Sequence, residues 1–351
     1  MNADRPAGGP ACPLPLAGDD VVQLAHGGGG QLMHELLQNV FLPAFGDPLG
    51  AGGHDSAVFS AGAERLAITT DGYVVQPLEF PGGDIGSLAV HGTVNDLLMA
   101  GARPRYLSAS FILEAGLPLA TLRRVVGSMR DAAAASGVAI VTGDTKVVEG
   151  GHGDGIYLAT TGIGTLFQGT AIGPGAIRPG DRVLLSGDIA RHGMAVMAAR
   201  EGLAVTPVIE SDSAPLNDAV LPLLEAGMTV HCLRDLTRGG LASALVELAA
   251  GAGVTIAIDE TLVPVREDVR ALCELLGLDP LHVANEGRFV AIVPAQEADR
   301  ALALLRHSAL AVDARDIGEV QPGPGGVRAR TAVGTERPIT MLTGEQLPRI
   351  C

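Results

Sequence analysis

The chain reads as an α/β (α+β) protein made of two similar-sized halves and a tail. Strand-like and helical runs alternate along it, a Gly- and Pro-rich stretch at residues 169–180 interrupts the alternation, and a new strand–helix series starts after the interruption. A length of 351 residues also fits about two domains.

In the first half, residues 66–70 form a strand pattern. Asp84 can N-cap a helix running to about Met99, which Gly101 stops. Residues 111–113 are short and extended, 119–135 form a helix ended by Gly137, and 138–141 and 156–166 are strands. The second half restarts with a strand at 182–186 and a helix at 193–201. Thr237 opens a helix over 240–250. Strands follow at 254–258, 288–293 and 317–320, with a helical pattern at 268–276, a helix at 296–307 and a loop at 321–326. From 337 to 351 only short strands are expected.

Lys plus Arg is 24 against 39 Asp plus Glu, a formal charge of −15 that argues against nucleic acid as substrate. With no Trp and 3% aromatic residues, base-stacking and sugar-stacking surfaces are also disfavoured. A 47% hydrophobic content is ample for a packed core. Residues 1–18 lack the pattern of a secretory signal, and the longest weakly polar run, 241–258, is broken by Glu247, Gly251 and Gly253. No membrane span is therefore expected, and a cytoplasmic protein is. Cys12, Cys232, Cys273 and Cys351 form no CxxC pair, which disfavours a structural zinc site. Cys273 fits a helix core. Cys351 is the last residue, where a core position is hardly expected.

Neither a Walker A motif nor GxGxxG follows any strand. Acidic residues instead recur at element ends: Asp55, Asp71 after 66–70, Asp144 after 138–141, and Asp235. Singly, each is most simply a cap or turn residue. Together they are hard oxygen donors suited to Mg²⁺. Asn95 and Asp96 lie inside an apolar helix, where both are poor helix formers and a buried carboxylate needs a partner. Gly28, Gly29 and Gly30 sit in a four-glycine run that can bring backbone amides to a phosphate, or simply form a loop. Thr237-Arg238-Gly239-Gly240 opens a helix and offers amides to an anion, or is an ordinary cap. Lys146 is the one Lys among the 24 cationic residues and follows Asp144-Thr145. A compact ammonium contacts phosphate as a point charge, which a planar guanidinium does less readily. Glu286, at a strand entry, is a solvated end or a base facing a cleft.

Thr69-Thr70-Asp71, Gly92-Thr93-Val94-Asn95-Asp96-Leu97, Thr142-Gly143-Asp144-Thr145-Lys146, Asp235-Leu236-Thr237-Arg238-Gly239-Gly240, Asn285-Glu286-Gly287 and the terminal Pro348-Arg349-Ile350-Cys351 together resemble the HypE family of hydrogenase maturation proteins. The resemblance covers residues 20–351. Most of these motifs are shared with the wider aminoimidazole-ribonucleotide-synthetase-like (PurM-like) superfamily, and the terminal motif singles out HypE. It implies an extension at 1–20, an ATP-binding PurM-like domain at 21–168 whose strands form a barrel in a homodimer, a second PurM-like α/β domain at 175–336, and a mobile tail at 337–351. It also implies an ATP-dependent carbamoyl dehydratase in which Cys351 carries a carbamoyl group loaded by HypF, with the cyanide passed to HypC–HypD. By the same resemblance, Asp55, Asp71, Asp96, Asp144 and Asp235 would hold Mg²⁺. Gly28, Gly29, Gly30, Thr70, Asp71, Asn95, Asp144, Thr145, Thr237, Gly239 and Gly240 would contact ATP. Lys146 would touch phosphate or carbamoyl, and Glu286 would take the amide proton. Many relatives have two acidic residues where this chain has His54-Asp55, which leaves the number of metals open. Another ATP-using PurM-like enzyme, such as a selenophosphate synthetase or small-molecule kinase, and a non-catalytic binding module are the competing readings.

Overall fold

The computed structural model describes residues 21–46, 54–342, 344, 347 and 349–351. The expected 1–20 extension, with Cys12, lies outside the described residues, as do Gly53 and Pro348. Helices α1 (Gln31–Leu36) and α2 (Leu42–Phe45), joined by a π-helical turn over Leu37–Phe41, precede the first sheet. Neither was expected from the sequence.

The first half continues with β1 (Ala57–Ala61), β2 (Glu64–Tyr73), the small hairpin β3 (Glu79–Phe80) and β4 (Gly83–Asp84), α3 (Ile85–Met99), β5 (Ala102–Glu114), α4 (Leu119–Ala135), β6 (Ala139–Val148) and β7 (Ile156–Leu166). Five strands form a sheet in the order β1-β2-β7-β5-β6. Its pairs are antiparallel except β5–β6, which run parallel with α4 as their crossover. Asp84 caps α3 as expected. Its carboxylate accepts from Ser87 N at 2.8 Å while Ser87 Oγ accepts from Asp84 N at 3.1 Å. α3 is buried on nearly every side, and Leu88, Leu97 and Leu98 are fully enclosed. Each such side chain contributes roughly 1.5–3 kcal/mol. Gly92 permits this packing, because a Cβ there would sit 2.3 Å from Tyr73 Oη.

Two strands are longer than their sequence patterns. β2 continues past Thr70 to Tyr73, so Asp71 lies within the strand, opposite Thr160 of β7. Asp and Gly are weak strand formers, and ladder pairing overrides that preference. β6 runs on from the expected 138–141 to Val148, so Asp144, Thr145 and Lys146 are in the strand and not beyond it. It lies at the sheet edge, pairs with β5 alone among the described strands and is exposed along nearly all its length.

The second half contains β8 (Asp181–Leu185), α5 (Arg191–Arg200), α6 (Asn217–Glu225), β9 (Cys232–Asp235), α7 (Gly240–Ala252), β10 (Thr255–Asp259), α8 (Glu267–Leu276), β11 (Phe289–Pro294), α9 (Ala298–Leu305), β12 (Arg315–Gln321), β13 (Gly326–Arg330) and β14 (Glu336–Ile339). Seven strands form a sheet in the order β14-β13-β10-β12-β8-β11-β9. Only β10–β13 is parallel. Pro222 inside α6 hides that helix from sequence reading. One apolar cluster runs from α3 and α4 through α6 and α9 to β11, and so joins the two halves. Ile350 and Cys351 belong to it. That corrects the expectation for the last residue: Cys351 is 8% exposed and Ile350 2%.

Candidate active site

The ends of three elements meet where the halves join. Asp55 comes from the turn before β1, Asp96 from the last turns of α3, and Asp235 from the end of β9. Their carboxylate oxygens lie within 4.8 Å of one another. Thr69 Oγ1 is 2.8 Å from Asp96 Oδ2 and 2.9 Å from the Asp55 carbonyl. Arg234 Nε pairs with Asp55 Oδ1 at 3.0 Å, and its Nη2 pairs with Glu247 Oε2 at 2.6 Å. The other Asp55 oxygen, Oδ2, is buried without a partner.

Burial, then the charges of Asp235, Asp55 and Asp71, pushes the Asp96 carboxyl well above the usual range. Burial and the Asp55 charge do the same to Asp235. Asp71 shares the face of β2 that carries Thr69, two residues away. It too is raised by burial, and opposed by the Arg238 guanidinium. The Glu286 carboxyl is raised by burial, then by Asp235, Asp71 and Asp212, and its Oε1 has no partner. Carboxyl groups this close together, two buried and three half-buried, do not all ionise unless a cation joins them. An all-oxygen donor set with an orphaned buried oxygen suits a hard divalent cation.

The two glycine motifs meet beside this cluster. Arg238 Nη1 donates to Gly27 O at 2.8 Å. Gly29 lies against Arg238, whose Cβ would be 2.8 Å from any Cβ at position 29. Gly30 is packed on the Leu342 carbonyl. Gly239 and Gly240 both hold φ of +78° and +60° and turn the chain from Thr237 into α7. The Arg238 guanidinium is held charged chiefly by Cys351, then by Asp71 and Glu286. The last residues are held just past β2: Val74 N donates to the Cys351 terminal oxygen at 3.0 Å, and Gln76 N to Arg349 O at 3.3 Å. Arg200 Nη2 donates to Arg349 O at 2.7 Å.

The structure thus gathers Asp55, Asp71, Asp96, Asp235, Glu286, the Gly28–Gly30 run, Thr237, Gly239, Gly240 and Cys351. Five expected residues stand apart within this chain. Thr70 is exposed on the opposite face of β2 from Asp71, hydrogen-bonded to Thr160 O and Thr161. Strand alternation forbids both from facing one site. Asn95 is occupied structurally: its Nδ2 donates to Ala214 O and Glu286 O, and its Oδ1 accepts from Leu216 N at 2.9 Å. Asp144, Thr145 and Lys146 lie on exposed β6, where Lys146 Nζ pairs with Asp144 Oδ2 at 2.6 Å and Thr145 N donates to Asp144 Oδ1. Sequence reasoning also missed contributors. Arg238 was visible inside its motif. Asp212, whose carboxylate receives His192 N, Glu286 N and Gly287 N, sits in a loop with no periodic signal.

Two family models match: AIR synthase related protein, N-terminal domain, over residues 53–166, and its C-terminal domain over 178–329. The carbamoyl dehydratase HypE of Cupriavidus necator is 52% identical over 94% of this chain and 95% of its own length. The chain belongs to the HypE family of carbamoyl dehydratases. The Escherichia coli K12 member is 44% identical over 94% of this chain and 99% of its own. A crystal structure of a HypE–HypF complex aligns with a TM-score of 0.83 at 45% identity, covering 88% of this chain and 99% of that one. HypE in complex with ATP aligns at 0.80 and 46%, covering 94% and 100%. The two-sheet architecture is accordingly the PurM-like fold of this family. No helix among the described residues is long and apolar enough to cross a membrane.

Proposed function

We propose that the chain converts an S-carbamoyl group on Cys351 to an S-cyanide at the expense of ATP, supplying the cyanide ligand for [NiFe]-hydrogenase maturation. The observation that carries this reading is the enclosure of Cys351, 8% exposed and with its terminal oxygen held by Val74 N at 3.0 Å, within the electrostatic reach of Arg238. The ATP-bound and HypF-bound relatives support ATP as co-substrate and HypF as the loading partner. HypC–HypD is proposed as acceptor on family grounds alone.

An amide oxygen leaves poorly. Phosphoryl transfer from ATP to the carbamoyl oxygen, with loss of one N–H proton, gives an O-phosphorylated imidate. Loss of phosphate with the second N–H proton then leaves S–C≡N, ADP and phosphate. Mg²⁺, held by Asp55, Asp96 and Asp235 with Asp71 nearby, would neutralise charge on the transferring phosphoryl group. Glu286, whose Oε1 is buried without a partner, would in its ionised form accept an amide proton. The Gly28–Gly30 and Thr237–Gly240 backbones offer amides to the nucleotide phosphates. Enclosure of the thiol excludes competing water.

We further propose that the chain works as a homodimer through β6. This edge carries Val141 and Val147 at 61% and 65% exposure with its outer backbone groups unpaired by any strand. A long exposed apolar edge is a pairing surface. Pairing there would bring Asp144, Thr145 and Lys146 to the partner's site. The domain limits 21–168 and 175–336 and a cytoplasmic location are kept as part of this reading.

Cys351→Ala tests the central claim. Intact mass spectrometry after incubation with HypF, carbamoyl phosphate and ATP should show no cyanylated product, while calorimetry shows ATP affinity as in the parent chain. Undiminished cyanylation in this variant would overturn the reading.

A further inference from the structure

One fully buried polar side chain that this chemistry leaves unused is His192, in the first turn of α5 and 0% exposed. Its Nε2 lies 2.8 Å from the carbonyl oxygen of Ile350. A carbonyl can only accept, so Nε2 carries the proton. Its Nδ1 lies 2.8 Å from Ser211 Oγ, which already accepts from Ser213 N at 3.0 Å and so turns its hydroxyl hydrogen toward the ring. These contacts select one neutral tautomer. Phe80 packs edge-on to the ring at 5.4 Å, which fixes the ring plane.

The Ile350 carbonyl belongs to the planar peptide that bears Cys351. The terminal oxygen on the other side of the Cys351 Cα is held by Val74 N at 3.0 Å. With both flanking groups pinned, the sulfur retains only rotation about its own Cα–Cβ bond. Asp212 extends the arrangement to the proposed base. Its Oδ1 accepts from His192 N at 3.0 Å, and its Oδ2 accepts from Glu286 N at 3.3 Å and Gly287 N at 3.0 Å. One buried carboxylate therefore fixes both the backbone of the residue that grips the tail and the backbone of Glu286.

We infer that His192 is a positioning residue that seats the carrier cysteine, and that Asp212 sets its register against Glu286. The inference rests on the reading of Cys351 as carrier. Its primary test needs neither ATP nor a carbamoyl group: the rate at which iodoacetamide alkylates Cys351 in the folded full-length chain, read on the C-terminal peptide by mass spectrometry. His192→Leu should raise that rate about tenfold, the factor for a net loss of about 1.4 kcal/mol. His192→Gln places an amide N–H near the former Nε2 and should stay within about threefold of the parent. Single-turnover dehydration of carbamoylated chain should fall for Leu and recover for Gln, with Mg-ATP affinity unchanged in both. Ser211→Ala keeps the ring but frees the tautomer, and should raise alkylation by a smaller factor. It decides the matter should the Leu variant not fold. Parent-like alkylation in the folded Leu variant, or in Ser211→Ala, or Gln behaving as Leu does, overturns the inference. Cyanylation by Cys351→Ala would instead overturn the carrier reading and leave the alkylation result standing.

Discussion

Two aspartates of the first half occupy opposite situations. Asp96 is half-buried on α3, its carboxylate against Thr69 of β2 and close to Asp235 of β9, and desolvation with neighbouring carboxylates raises it well above its usual range. Asp144 stands on the open edge strand β6, and its hydrogen bond from Lys146 lowers it. Both come from sequence motifs of similar appearance. The difference is that Asp96 gains a neighbour from the second half of the same chain, Asp235, whereas Asp144 and Lys146 meet only each other and their own strand. A single chain therefore completes the carboxylate cluster but leaves the lysine on a surface.

The sharpest way to break this comparison is to change Lys146. Lys146→Arg keeps the charge and replaces a point donor with a fork. If a second chain brings this residue to the phosphate or carbamoyl group, turnover should fall about 10²-fold or more with the melting temperature unchanged. Parent-like turnover would leave Lys146 as the surface residue it is in one chain. Asp96→Asn tests the other member. Loss of a carboxylate from the cluster should weaken Mg-ATP binding by about 10–100-fold in calorimetry. Unaltered affinity would remove Asp96 from the ligand set. Val141→Lys tests why the two differ. A charge on the edge of β6 should shift sedimentation from dimer toward monomer at micromolar concentration with folding retained. A stable dimer in that variant would place the interface elsewhere.

These residues also show what the sequence could and could not disclose. Asp84, Gly101 and Gly137 marked helix ends locally, because capping acts over one turn, and α3 and α4 match those marks. Asp96 was legible because a carboxylate in an apolar helix is locally anomalous. Asn95 showed the same anomaly with a different cause: it is a latch on the Ala214–Leu216 backbone. Thr70 and Asp71 fall on opposite faces because the extension of β2, and hence which residue faces inward, is set by pairing with β7. Asp212 and His192 act through contacts across 74 and 158 positions of sequence, and nothing local marks them. Burial of Cys351 depends likewise on surfaces from both halves.

The smallest expected effect concerns acidity. The Asp96 and Asp235 carboxyls are raised in the folded chain above the 3.8 of an ordinary Asp. Without metal, the folded state then binds more protons than the unfolded state, so their contribution is fully present below about pH 3.8 and is lost as pH rises through the raised folded values. Mg²⁺ favours the ionised cluster and should offset that loss, so the stabilisation it gives should grow with pH. Free Mg²⁺ at about 100 times its dissociation constant adds about 2.7 kcal/mol. At about 2 °C per kcal/mol for a chain of this size, that is a rise of about 5 °C at pH 8, shrinking toward zero at pH 5. Asp96→Asn should flatten the metal-free pH dependence and reduce the Mg²⁺ increment. Asp144→Asn should leave both as in the parent chain, because Asp144 is exposed and its shift has the opposite sign. An equal Mg²⁺ increment at pH 5 and pH 8, or equal responses in the two variants, would mean that enclosure of the cluster does not govern its metal affinity.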